Sequence, residues 1–214
     1  MCIRDRGTGV LPRNLYEYGA QFTGIDPSEN QIQQAKALAE RDNMKIRFQC
    51  VSAEACDFPP HTFDAVTACQ CFDYFNHPVL APRLRSMLKE NGRFAILYMA
   101  WLPEEDDLAG NSERLILKYN PMWTGCNEKR RPISIPQVYT PCFTVEHQEV
   151  FDLSVPFTRE TWRGRIRSCR GIGASLSDDE IAAFDREHAE LLEKIAPECF
   201  EILHYAALAV LKRI

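Results

Sequence analysis

Between Gly9 and Trp101 the hydrophobic residues switch back and forth between a helical and an extended period. That alternation restricts the fold more than any other feature of the chain. Leu11, Leu15 and Tyr18 recur at helical spacing over residues 10–18, and Gly19 stops the run. Residues 21–26, Gln-Phe-Thr-Gly-Ile-Asp, read as a short strand ending in an acid. A helix follows from Pro27 to Arg41, with Ile32, Ala35, Leu38 and Ala39 on one face. Over residues 45–51, Ile46, Phe48 and Cys50 alternate inward as in a strand. Residues 63–69 read as a further buried strand. Residues 78–90 read as a helix closed by Asn91-Gly92, and residues 93–101 as an apolar strand. Such alternation implies βαβ units, and so an α/β fold with a doubly wound, mostly parallel sheet.

Past Trp101 the period breaks. Residues 102–142 hold acids, prolines, a short helical stretch at 113–119 and Trp123. Residues 143–153 read as a strand, 158–169 and 178–195 as helices, and 200–212 as a last strand. Ser177, with Glu180 three residues on, forms a capping box for the second of these helices. The expected organisation is one domain over residues 1–214. Its core covers 7–101, substrate-side insertions forming a helical lid cover 102–142 and 157–197, and the final strands are 143–153 and 200–212.

Composition narrows the function classes. A net charge of −5 disfavours a nucleic-acid binder. No apolar run reaches the roughly 18 residues needed to span a bilayer, and no signal-peptide pattern opens the chain. The nine cysteines are odd in number and lack any Cys-x-x-Cys pair. They read as reduced thiols of a cytoplasmic protein, not as a disulfide framework or a metal site.

Three features fall at the carboxyl ends of consecutive strands, where open α/β sheets bind ligands. The first is the turn Gly7-Thr8-Gly9, whose glycines let a ligand approach free backbone amides. The second is Asp26-Pro27; an acid 17 residues after Gly9 can accept from two ribose hydroxyls. The third is Ser52-Ala53-Glu54, past the third strand, where Glu54 or its neighbours can meet an adenine edge. A Gly-rich turn of this kind normally follows a buried strand. Only six residues precede it here and half are charged, so the first strand is expected to be missing and the reading frame to be truncated at its start.

The order and spacing of these residues resemble the class I S-adenosylmethionine-dependent methyltransferases, a family with a Rossmann-like fold. The likeness runs from Gly7 to about Tyr98 and more loosely beyond. It implies that the Gly-rich turn (Gly7, Thr8, Gly9) holds the methionine part of S-adenosylmethionine, that Asp26 with Pro27 holds ribose, and that Ala53 and Glu54 flank adenine. Gln70, a further cofactor contact by this resemblance, opens the segment Gln70-Cys71-Phe72-Asp73-Tyr74-Phe75, which matches the family's active-site edge. The resemblance also implies a last strand antiparallel to residues 143–153. One position departs: Ile3 stands where the family has the acid that grips the cofactor's amino group, and Asp5 where it has the first glycine.

Methyl transfer from a sulfonium is an in-line displacement that depends chiefly on positioning. A base is needed only for a nucleophile that arrives protonated. Asp73, Tyr74 and His77 are the catalytic candidates. Tyr74, Phe75, Tyr98, Trp101, Tyr119 and Trp123 are candidates for aromatic pocket walls. Arg159, Arg163, Arg167 and Arg170 recur at helical spacing opposite Trp162, Ile166 and Cys169. Arg163 and Arg167, with Trp101 and Trp123, are the candidate substrate contacts, with the arginines as a clamp for an anionic small molecule. Two other readings stay open. One is an NAD(P)- or flavin-dependent oxidoreductase, which would want Gly or Ala where Pro12 stands. The other is a non-catalytic nucleotide-binding domain.

Overall fold

The computed structural model describes the backbone of residues 2–5 and the whole of residues 8–214. Seven strands form one sheet in the order β3-β2-β1-β4-β5-β7-β6. They are β1 (Cys2–Asp5), β2 (Thr23–Asp26), β3 (Arg47–Cys50), β4 (Phe63–Cys69), β5 (Leu88–Trp101), β6 (Phe143–Thr158) and β7 (Cys199–Arg213). The helices are α1 (Val10–Asn14), α2 (Glu29–Arg41), α3 (His77–Met87), α4 (Asp107–Tyr119), α5 (Arg159–Arg167) and α6 (Asp178–Ile195).

The expectation that the first strand is missing is corrected. Residues Cys2–Asp5 form β1 inside the sheet, between and parallel to β2 (Ile3 opposite Gly24) and β4 (Ile3 opposite Thr67). The charge of this segment argues against a strand locally. Both flanking strands need backbone partners, however, and that tertiary demand outweighs intrinsic preference. The β2–β3 and β4–β5 pairs are parallel too.

β7 runs the other way. Arg213 donates to the carbonyl of Leu88 at the start of β5, whereas Leu102, just past its end, donates to Leu203 at 3.0 Å. β5 begins at Leu88, earlier than its apolar run suggests, and α3 ends at Met87. α4 begins at Asp107, where Asp106 caps it by accepting from the Ala109 amide at 2.9 Å. The capping box of α6 forms as its sequence indicates, with Ser177 Oγ accepting from the Glu180 amide.

The chain divides into two compact units. Unit 1 holds residues 1–98, 132–149 and 207–214, and unit 2 holds 99–131 and 150–206. The core of unit 1 packs Ile25, Val66, Ala68, Phe72, Leu80, Leu84, Phe94 and Ile96 with Tyr139 and Phe143. Residues 132–142, grouped with the lid in the sequence, therefore contribute to this core through Tyr139. Unit 2 has its own core, built on Trp101, Ile116, Trp162, Ile166, Phe184 and Ile202. No helix among the described residues is long and apolar enough to cross a membrane.

Candidate functional site

In unit 1, three loops at the carboxyl ends of β1, β2 and β3 carry the residues singled out above. Gly9 is buried and precedes α1 with φ +70°, in the left-handed region. A Cβ there would lie 3.0 Å from the Phe48 ring and 3.4 Å from the Ala35 Cβ. The same ring would meet a Cβ on Gly24 at 2.7 Å, so Phe48 occupies the space two glycines leave. Thr8 is half-buried beside Gly9. Gly7 lies outside the described residues.

Asp26 ends β2 and is 7% exposed. Its Oδ1 accepts from the Ser28 amide at 2.8 Å, and Oδ2 has no partner among the described residues. The ladder sets Asp26 opposite Cys50, whose thiol donates to the Pro27 carbonyl at 3.5 Å. Ala53, 5% exposed, sits in the turn after β3, which Ser52 closes by accepting from the Ala55 amide at 3.2 Å. Glu54 Oε1 accepts from the Asn76 amide at 3.1 Å and so ties the loop after β3 to the loop after β4. Gln70, just past β4, donates its amide to the Leu97 carbonyl at 2.9 Å and holds φ +59°. A non-glycine residue in that region costs roughly 1–2 kcal/mol, and such strain concentrates at functional sites.

Asp73 and Tyr74 lie exposed in a 3₁₀ turn over Phe72–Tyr74. His77 opens α3, half-buried, with Nδ1 3.1 Å from the Tyr139 hydroxyl. Its ring packs 4.7 Å from that of Phe72. Burial lowers the His77 pKa, while the carboxylates of Asp73 and Glu54 work against that shift. Tyr139 is 1% exposed and stacks on Phe94 at 6.0 Å. Burial, assisted by the charge of Glu54, pushes its phenol far above the ordinary value. Tyr139 carries no local signal, because it belongs to a proline-rich stretch without periodicity.

The other candidates belong to unit 2. Trp101 is 6% exposed and its indole donates to Glu113 Oε2 at 2.9 Å. Trp123 packs so closely that a Cβ on Gly125 or Gly171 would meet its ring at 2.8 Å. Arg163 donates to the Asp185 carbonyl at 3.3 Å, and Arg167 pairs with the Asp185 carboxylate at 2.9 Å. Among the described residues, no group of three His, Cys, Asp or Glu side chains is placed to hold a metal.

Comparison with known proteins agrees with this arrangement. Residues 6–92 match the family model of a methyltransferase domain. The chain is 34% identical over 91 residues to a ubiquinone biosynthesis O-methyltransferase of Bradyrhizobium diazoefficiens, covering 42% of this chain and 36% of that protein. It thus spans about a third of the curated relatives it matches. Among solved structures, it resembles the YcgJ protein of Bacillus subtilis (TM-score 0.54, 17% identity, 100% of this chain and 91% of that one). A geranyl diphosphate methyltransferase in complex with SAM is similar as well (TM-score 0.52, 14% identity, 100% and 77%). At those identities the structures speak to fold alone. Residues 6–92 are thus similar to a methyltransferase domain, and the strand order and strand-end residues are in keeping with that match.

Proposed function

We propose that this chain transfers a methyl group from S-adenosylmethionine to a small-molecule acceptor, in the cytoplasm and without acting on nucleic acid. The observation that carries the reading is Asp26, a buried carboxylate at the end of β2 with one oxygen uncommitted among the described residues. Such a group can accept from the ribose hydroxyls. Gly9 turns the backbone into α1 through the left-handed region, and Ala53 with Glu54 would form the wall for an adenine ring. These residues fit the cofactor. When bound, it would supply an electrophilic methyl group on a sulfonium.

The chain's own work is then positioning, water exclusion and, for some acceptors, removal of a proton. The name of the Bradyrhizobium relative points to an oxygen acceptor. A hydroxyl arrives protonated at pH 7, so a base is needed, and His77 suits that role best among Asp73, Tyr74 and His77. Burial keeps its imidazole neutral, and Tyr139 can accept from Nδ1–H, which leaves Nε2 as the free lone pair. Pro12 stands at the place where a nicotinamide-binding turn wants Gly or Ala, which disfavours the oxidoreductase reading.

Release of S-adenosylhomocysteine in the presence of catechol, read by mass spectrometry, tests the proposal. Acceptor-dependent release that His77→Asn lowers by about a hundredfold is expected, the usual order for loss of a general base. A folded chain that binds no S-adenosylmethionine overturns it.

A further inference from the structure

Helix α5 reads Arg-Glu-Thr-Trp-Arg-Gly-Arg-Ile-Arg, and three of its four arginines are committed within unit 2. Arg159 donates to the Ala196 carbonyl from Nε at 3.0 Å and from Nη2 at 2.6 Å. Arg163 and Arg167 both engage Asp185. Arg165 differs. Its guanidinium carbon lies 4.9 Å from the centroid of the Trp101 ring, and its side chain makes no hydrogen bond or ion pair among the described residues. It is half-buried, and desolvation works against its charge.

The carboxylates whose charge reaches this cluster are already used. Glu113 accepts from the Trp101 indole at 2.9 Å and from the Asn127 amide at 2.7 Å. Asp106 accepts from the Ala109 amide at 2.9 Å and from the Leu203 amide at 2.8 Å. The other titratable neighbours are neutral at pH 7, since burial raises the Cys169 thiol and lowers the His204 imidazole. Among the described residues, therefore, no anion answers Arg165.

A partly desolvated guanidinium gains most from a charge-assisted, two-point contact with a planar oxyanion. Attraction to the indole face holds the guanidinium over the ring, and its N–H groups are left to donate to a ligand. Trp101 also closes β5, and the carboxyl ends of strands are where α/β sheets hold ligands. We propose that Arg165, held over the Trp101 ring, forms an oxyanion-binding site that takes the carboxylate or phosphate group of a ligand. Only the identification of that ligand as the methyl acceptor rests on the function proposed above.

The test follows tryptophan fluorescence of the full chain during separate titrations with benzoate and phenyl phosphate, without cofactor. Saturable binding of at least one is expected, and the preferred anion tells carboxylate from phosphate. Arg165→Gln should weaken it at least tenfold and Arg165→Lys several-fold, because an ammonium keeps the charge but loses the planar fork. Lys194→Gln, on the exposed side of α6, removes one positive charge and should change nothing. Far-UV circular dichroism selects the variants that fold, and either one decides the matter. No saturation with either anion, or an affinity that the folded variants leave unchanged, overturns the proposal. Parallel titration with S-adenosylhomocysteine separates the two claims. Anion binding without cofactor binding removes the methyl-transfer reading alone, and the reverse removes this site alone.

Discussion

Gly9 and Asp26 show what a single residue contributes. Gly9 combines a left-handed backbone with a ring 3.0 Å from where a side chain would begin. Gly9→Ala should therefore cost about 1–3 kcal/mol, combining the backbone penalty with displacement of Phe48. Urea unfolding checks this, and an unchanged midpoint would contradict it. Asp26 was legible in the sequence because a strand pattern ended on it at a fixed distance from the glycine turn. Tyr139 and Arg165 were not. Tyr139 reaches His77 across 62 residues from a segment with no period. Helical spacing placed Arg163 and Arg167 on a common face, but which arginine lacks an anion depends on where Asp185 of α6 sits.

At the scale of elements, α4, α5 and α6 meet in a buried polar knot. The Trp162 indole donates to Ser112 Oγ at 2.9 Å, and Ser112 Oγ donates to the Leu108 carbonyl at 3.0 Å. The hydroxyl proton is then committed, so His188 donates from Nε2 to the same oxygen at 3.0 Å. His188 is fully buried, and its Nδ1 has no partner among the described residues. Burial, aided by the charge of Arg163, lowers its pKa to about 4.

Above the unfolded value of about 6.5 both states are neutral, and this group adds no pH dependence. As pH falls below 6.5 only the unfolded chain takes the proton. Stability is thus lost between 6.5 and about 4, by about 3 kcal/mol in all, with no further loss below that. Urea unfolding at pH 7 and pH 5 should show a larger drop for the natural chain than for His188→Gln; equal drops would contradict the assignment. Neither His188 nor Ser112 stood out in the sequence: His188 falls within the helix read over 178–195, and Ser112 lies just outside the stretch read as helical at 113–119. The capping box of α6 was legible because it is local, whereas β1 was not, because its partners β2 and β4 are what make it a strand.

For the whole molecule, the parallel half of the sheet apart from β1 followed from alternation of periods, since β2 to β5 and the helices between them carry their own hydrophobic patterns. The rest did not, because β5, β6 and β7 each run through both units and are longer than their apolar segments. The strand order places β1, β2 and β3 side by side, with Gly9 following β1, Asp26 ending β2 and Ala53 following β3. That adjacency is what the proposed cofactor site rests on. Isothermal titration of the full chain with S-adenosylmethionine and, separately, with NADH tests it most directly. One-to-one binding of S-adenosylmethionine, about tenfold weaker in Asp26→Asn (~1.4 kcal/mol), and no heat with NADH is the predicted result. Binding of NADH, or an affinity for S-adenosylmethionine that Asp26→Asn leaves unchanged, would contradict the account.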